Sequence, residues 1–518
     1  MVELNISPKF SSNPTELDVS LLMGIDLGTE SVRVAIYQVD GHEVASASVP
    51  ITTVVPNPGR AEQNPIEWWE AICSASKKCM SQLPTKEIIG IGLATTASTV
   101  IACREDGTPL RSAILWMDTR AWKESQDSAA QKHPILRYSG GADAAEWLVP
   151  KALWIARHEP EIYSNSAHIV EAIDFLVHKL TGEWVASLMN ATCKANYDSI
   201  NGTYADDLYA ALGAPDLSSK FSNRVIPVGD AIAHITATAA EEMGISNRPL
   251  VGQGGIDAHT AMLASGNLSE DHIFMIGGTS NVLLALTEKE TPARGIWGPY
   301  PHALVKDLWL LEGGQISAGS ILRWVTRKLL NLSDDESLKI ANVAAGLDPS
   351  SNSLLVLDYW MGNRSPYRDD QLRGAILGLS LNHTPADIYR AAVESISFGT
   401  RHVVETFAAA GVGCKTMTLS GGIARNKYWL KTNVDVLGIP VQFSEATNMT
   451  TLSGAICAAS ALGLHGDLTQ AAKAMKVETH TLEPDLAHTD YYAERFAMYK
   501  EATSALTPTF HQLAGSTG

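Results

Sequence analysis

The chain has 518 residues, with 56 Asp and Glu against 39 Lys and Arg, so its net charge is −17 with histidine neutral. That length holds more than one hydrophobic core and predicts two large domains, while the acidic balance excludes a general nucleic-acid or anionic-membrane binder, because no net cationic field draws phosphates in. With 45% hydrophobic and 18% charged residues, the composition is that of a folded globular protein rather than a disordered one.

Residues 1–18 are polar and lack a basic start followed by an apolar stretch, so residues 1–20 read as an extension ahead of the first strand, not as a secretory signal. No apolar run approaches the ~20 residues of a membrane helix. Cys73, Cys79, Cys103, Cys193, Cys414 and Cys457 form no CxxC pair, which points to buried thiols in a reducing compartment and a cytoplasmic location. The apolar run 21–26 predicts a strand ending in Asp26. A turn follows over 27–30, then a strand over 31–39, where Val32, Val34 and Ile36 alternate with Arg33 and Ala35. Asp40-Gly41 signals a hairpin into a third strand over 42–50. Pro65 opens a helix with Trp68, Trp69, Ile72 and Ala75 on one face, and 88–93 is the next buried strand. Strands first and alternation afterwards predict an α/β architecture.

Helical patterns cover 150–157 and 173–180. The opening is then echoed: an apolar run over 273–276, the turn Gly277-Gly278-Thr279-Ser280, and a strand over 281–286. This reads as a weak internal duplication. Residues 386–407 and 448–462 are helical, and a last helix carries Tyr492, Phe496 and Tyr499 on one face. Gly266, Asn267 and Ser269 interrupt the pattern, which places a boundary near 264–270 and divides the chain into 21–265 and 266–518.

No Gly-Lys dipeptide occurs, so there is no Walker P-loop, and there is no HExxH. The run Gly252-Gln253-Gly254-Gly255-Ile256-Asp257 lacks the sixth-position glycine of a dinucleotide loop. Asp26, Gly28 and Thr29 give the first positive signal. A glycine in a strand–strand turn lets backbone N–H groups approach a phosphate, and the threonine hydroxyl adds a donor. A carboxylate before the turn suits Mg²⁺, held directly or through water. Gly277, Gly278 and Thr279 supply a second such turn. Either alone is an ordinary tight turn; one in each half makes phosphate binding an equal alternative. Gly421 and Gly422, ahead of Asn426, leave bare backbone for a flat ring, or form a plain strand-to-helix loop. The small-residue helix start at 448–455 reads as packing.

Residues 23–31, Glu62-Gln63-Asn64-Pro65-Ile66-Glu67-Trp68-Trp69, 252–258 and 420–440 together resemble the FGGY carbohydrate kinases, and the resemblance runs from about Leu22 to Leu464. It implies a two-domain actin/hexokinase-like ATPase fold of the α/β class, with a ribonuclease H-like core in each lobe and ATP and sugar in the cleft. Residue by residue, it implies Asp257 as catalytic base and Asp26 as the carboxylate near Mg²⁺. Gly28 and Thr29, with Gly277, Gly278 and Thr279, match the phosphate hairpins, and Gly421, Gly422 and Asn426 match the nucleotide-base loop. Thr96-Ala97-Ser98-Thr99, residues 193–197, Trp297-Gly298-Pro299-Tyr300, residues 309–315 and residues 362–367 are similar to the ribulokinase-like branch. That likeness puts Ala97, Lys194, Asp257 and Glu312 around the sugar. Two departures bear on which sugar: residues 95–99 stand where a Phe-Thr-Ala-Cys-Thr type loop is expected, and Asn281 stands where many relatives have a small residue.

Read alone, Lys194 is a solvated lysine and Glu312 a turn carboxylate. Asp118 and Arg120 are either a structural ion pair or a sugar contact. The resemblance implies ATP- and Mg²⁺-dependent phosphorylation of the terminal hydroxyl of a ketopentose, ribulose first, with xylulose, other ketoses and polyols as alternatives. The expected partner is a small sugar, with no nucleic acid and no membrane, and a homodimer is the oligomer allowed for. The rival is a non-catalytic, actin-like ATP-binding protein. It would have lost the sugar side, and the joint presence of Asp257, Lys194 and Glu312 argues against it.

Overall fold

The computed structural model describes residues 20–83, 87–351 and 353–515. The expected N-terminal extension therefore lies outside the described residues, save Ser20, which begins the first strand. Strands β1 (Ser20–Leu27), β2 (Ser31–Gln38) and β3 (Glu43–Pro50) form an antiparallel meander. β1 is buried on both faces, which is why it reads as a continuous apolar run rather than an alternating one. Next to β1 lies β4 (Glu87–Thr95), parallel to it; β5 (Ala231–His234) and β6 (Leu250–Ile256) complete the sheet in the order β5-β6-β4-β1-β2-β3. β6 runs parallel to β4.

A second sheet is built from β7 (His272–Gly277), β8 (Asn281–Thr287), β9 (Trp297–Pro301), β10 (Trp309–Gln315), β11 (Thr416–Gly421), β12 (Val441–Phe443) and β13 (His480–Leu482). Its order is β9-β10-β8-β7-β11-β12-β13. The run β10-β8-β7-β11-β12 repeats β3-β2-β1-β4-β6: three antiparallel strands, then two parallel ones. The echo in the sequence thus corresponds to a repeated sheet, with a glycine–threonine turn at the same place in each.

Six helices matter to the site: α1 (Pro65–Met80), α2 (Leu148–His158), α3 (Leu188–Lys194), α4 (Pro385–Ala409), α5 (Met449–Ala461) and α6 (Thr489–Gly515). α1 starts where Asn64 caps it, the side chain accepting from the Ile66 N–H, with Pro65 in the first turn. Tyr492, Phe496 and Tyr499 of α6 are buried with Phe398 of α4, as the one-faced pattern predicts.

α5 comes late in the chain yet lies on the first sheet. Glycines make this approach achievable. A Cβ on Gly24, Gly92 or Gly252 would sit 1.7, 2.0 or 2.5 Å from the carbonyl oxygens of Thr451, Gly454 and Cys457. Three adjacent strands therefore present bare backbone to one helix. The glycine run beginning at Gly252 is strand and packing surface, in keeping with its failure as a dinucleotide loop. Gly92→Ala forces backbone against backbone and is expected to cost about 3 kcal/mol, the upper end for overpacking. A thermal melt should show it as a large fall in Tm or as loss of soluble protein.

All six cysteines are free and five of them are buried, which matches the reading of buried thiols. Among the described residues, no helix is long and apolar enough to cross a membrane.

Candidate active site

The turn between β1 and β2 is held from three sides. The Gly28 N–H donates to the Ser31 carbonyl at 3.1 Å. The Thr29 carbonyl accepts from Gln63 Nε2 at 2.7 Å, and Gln63 in turn accepts from Trp68 Nε1 at 2.9 Å. The Glu62–Trp69 segment is thus a brace for this turn. Trp116 Nε1 donates to Thr29 Oγ1 at 2.9 Å, and since an indole only donates, the threonine keeps its own proton for another acceptor.

The matching turn between β7 and β8 is tied to the segment that follows β10. The Thr279 carbonyl accepts from the Ala318 N–H at 2.9 Å and the Gly278 carbonyl from the Gly319 N–H at 2.9 Å. The glycines here have different duties. A Cβ on Gly277 would lie 2.7 Å from Ile423, and one on Gly421, whose φ is +86°, would lie 2.6 Å from the Gly277 carbonyl, so both serve close packing. A Cβ on Gly278 meets nothing within 4 Å. Gly278→Val should therefore fold, and its methyl groups would fill the space in front of the turn. A nucleotide dissociation constant raised at least tenfold by calorimetry is the expected result.

A cavity of about 310 Å³ is lined by Thr29, Ala97, Lys194, Asp257, Gly278, Thr279 and Glu312. Seven of the residues singled out from the sequence thus share one space. A larger cavity, about 970 Å³, is lined by Gly278, Thr279, Gly422 and Asn426, together with Tyr389, Trp429 and much of 319–341. The two cavities share Gly278 and Thr279. Gly28, Gly277, Gly421 and Asp26 line neither.

Asp26 is fully buried and accepts from Thr450 Oγ1 of α5 at 2.8 Å. It is ion-paired with Arg33 through the same oxygen, and its Oδ1 has no partner. Burial pushes the carboxyl up from the ordinary carboxylate value, against the pull of Arg33 and Thr450. An orphaned, buried carboxylate oxygen suits a Mg²⁺ ion or its water. Among the described residues no three His, Cys, Asp or Glu side chains form a cage, so an ion here would take most of its oxygens from water and from a bound phosphate.

Asp257 follows β6 and opens the short helix Asp257–Thr260. Its Oδ1 accepts from the Ala258 N–H at 2.7 Å. Burial, reinforced by the charge of Asp26, pushes its carboxyl up to about 7. Glu312, on β10, behaves in the opposite way. Burial pushes it up, but Lys194, His259 and Arg364 outweigh that and hold it down to about 2. Lys194 Nζ is 3.7 Å and His259 Nε2 is 3.2 Å from Glu312 Oε2. The ammonium also sits over the Trp147 ring at 4.6 Å and the Trp297 ring at 5.4 Å. Lys194 is therefore not the solvated lysine of a bare reading; it is buried, paired and walled by aromatics.

Asp118 and Arg120 form a structural ion pair. Arg120 Nε and Nη2 donate to the two carboxylate oxygens at 2.9 and 2.7 Å, and Asp118 also accepts from the Ala61 N–H. Neither lines the cavity. Asn281 is also in the core. It donates to Gln315 at 2.8 Å, Gln315 donates to Asp358, and Tyr499 of α6 donates to Asp358 at 2.6 Å. This departure braces the second turn against the last helix and does not line the smaller cavity, although the sequence counted it as bearing on which sugar. Trp116, Glu146, Trp147 and His259 line the cavity and went unrecognised. Trp116, Glu146 and Trp147 are single residues in irregular segments, and His259 sits in the short helix that Asp257 opens, so only its position two after Asp257 offered a hint.

Residues 21–264 match the N-terminal domain of the FGGY family of carbohydrate kinases, and residues 273–462 its C-terminal domain. A ribulokinase from Bacillus licheniformis is 30% identical, over 89% of this chain and 90% of its own. An FGGY carbohydrate kinase domain-containing protein from Xenopus laevis is 29% identical, over 93% of this chain and 96% of its own. In three dimensions, xylulose kinase from Rhodospirillum rubrum superposes with a TM-score of 0.84 at 24% identity, over 95% of this chain and all of that one, and so shares the fold. With its two repeated sheets and the smaller cavity lined from both halves, the chain belongs to the FGGY family of carbohydrate kinases, phosphotransferases with an alcohol group as acceptor.

Proposed function

We propose that this chain transfers the terminal phosphoryl group of ATP to the terminal hydroxyl of a ketopentose, ribulose first. The observation that carries this reading is the junction of the two cavities at one turn, Gly278–Thr279. The larger cavity, with Asn426 and bare backbone at Gly422, suits a nucleotide. The smaller holds Asp257, Lys194 and Glu312, and suits a short polyhydroxylated molecule.

Asp257 takes the proton of the terminal hydroxyl. The oxygen bonds to the γ-phosphorus, the bond from that phosphorus to the β,γ-bridging oxygen breaks, and ADP leaves with the electron pair. The Thr29 and Thr279 hydroxyls donate to the transferring group. Asp26 is the residue that would hold Mg²⁺, which when bound neutralises phosphate charge. On the sugar side, ionised Glu312 accepts from hydroxyls and the Lys194 ammonium donates to a hydroxyl or carbonyl oxygen. Ala97 leaves room on the facing wall. The similarity to ribulokinases over most of the chain supports the choice of sugar.

The acidity of Asp257 gives this reading a pH signature. A base must be deprotonated, so kcat/KM should fall about tenfold per unit as pH drops below about 7, and level off above it. Glu312 stays ionised across that range and adds no second limb. The substrate itself is tested by ADP release with a panel of ketopentoses, ketohexoses and polyols. Ribulose should give the highest kcat/KM, and glycerol should be poor because it is too short to reach every partner. Glycerol outrunning every ketopentose would overturn the assignment.

A further inference from the structure

We propose that Lys151 and Glu171 are positioning residues for the sugar-side cavity, clamping the Ser98 peptide from both sides and tying it to the helix that carries Lys194. The inference rests on the sugar-kinase reading of that cavity. Ser98 lines the cavity beside Thr96 and Ala97. Its φ is +58°, a left-handed conformation that residues with side chains rarely adopt unless their surroundings enforce it.

The enforcement comes from two buried charged side chains. Lys151, on α2, is fully buried, and Glu171 is 1% exposed. Lys151 Nζ donates to the Ser98 carbonyl at 2.6 Å, and Glu171 Oε2 accepts from the Ser98 N–H at 2.6 Å. Both backbone groups of one strained residue are thus held by opposite charges. The same two side chains reach further. Lys151 also donates to the Leu115 carbonyl at 2.6 Å, and the next residue, Trp116, both lines the cavity and bonds Thr29. Glu171 also accepts from Asn190 Nδ2 at 3.3 Å, and Asn190 lies one turn before Lys194 on α3. One buried pair therefore fixes three walls of the cavity: the Ala97–Ser98 loop, Trp116 and the Lys194 helix.

Burial pushes Lys151 down and Glu171 up, and each opposes the shift of the other. Burying two charges is a poor way to stabilise a fold, since a well-packed apolar pair commonly does as well. Holding a peptide that neither helix nor strand can hold is a task for which an apolar pair has no donors or acceptors.

The test uses Glu171→Gln, which keeps the shape, and Lys151→Met, which removes the donors. Both are assayed on whichever sugar the wild type turns over best. The expected result is a sugar KM raised about tenfold, with the ATP KM within twofold of wild type. Adding Ser98→Gly to Glu171→Gln should recover at least threefold of the lost sugar affinity, because glycine adopts a φ of +58° without strain. A merely structural Glu171 would not be rescued at that position. Amide hydrogen exchange of the sugar-free protein supplies a readout that does not depend on the substrate. The Ser98 amide should exchange about tenfold faster in Glu171→Gln, with distant amides unchanged. Unchanged exchange at Ser98, or sugar and ATP KM values rising together, would overturn the clamp. A wild type that phosphorylates no sugar would overturn the proposed function and leave the exchange result to judge the clamp.

Discussion

Asp257→Asn is expected to lower kcat by about 10²–10⁴-fold, the usual worth of a positioned general base. The amide keeps an acceptor for the Ala258 N–H, so the local backbone should hold its place. ADP binding should stay within twofold of wild type, because Asp257 lines only the smaller cavity. The variant should also be more stable above neutral pH. In the folded protein the carboxyl sits near 7, above its value in the unfolded chain of about 4. The folded state thus binds this proton more tightly. Its contribution to stability is fully present below about pH 4 and is lost as pH rises through 7. Asparagine has no such loss. The gap in Tm between variant and wild type should widen in the variant's favour from pH 5 to pH 8, and activity above half of wild type would remove Asp257 from the role of base.

The second large effect is expected at the Lys194–Glu312 pair. Glu312→Ala leaves the ammonium buried among Trp147 and Trp297 with its anionic partner gone, and Lys194→Ala leaves the carboxylate with only His259 and Arg364 to offset its burial. Removing one partner of a buried pair is strongly unfavourable. A substrate hydroxyl left without its acceptor is rejected for the same reason. Each variant should lose about 10²-fold or more in kcat/KM for the best ketopentose, mainly through sugar KM. The ATP KM should move little, since neither residue lines the larger cavity. Steady-state kinetics with each substrate varied in turn separates the two. A change confined to the ATP KM would place the pair on the wrong side of the site.

What the sequence made legible was local and periodic. The meander at the start, α1 with Pro65 in its first turn, and the paired glycine–threonine turns all announce themselves within a few residues. The two long helices of the second half were expected over 386–407 and 448–462 and occupy Pro385–Ala409 and Met449–Ala461. The seven residues that share the smaller cavity came from motifs of the family. What stayed hidden depends on partners far apart in the chain. Gly24 and Gly92 look like incidental strand glycines, and Gly252 like the start of a loop, until α5 is laid across them. Asn281 looks like a departure that bears on the sugar until its bond to Gln315, itself bonded to Asp358, is seen. Lys151 and Glu171 carry no local mark of their contact with Ser98, because that contact exists only once α2 and the strand ending at Glu171 have packed around the loop.

The most direct measurement is the fate of the phosphoryl group itself. The protein is incubated with ATP, Mg²⁺ and ribulose, and the products are followed by phosphorus–proton NMR while ADP is counted. The account predicts one phosphate ester coupled to the protons of the terminal carbon, formed in equal amount with ADP, and its loss in Asp257→Asn. Inorganic phosphate in place of an ester, or an ester on an internal hydroxyl, would contradict it.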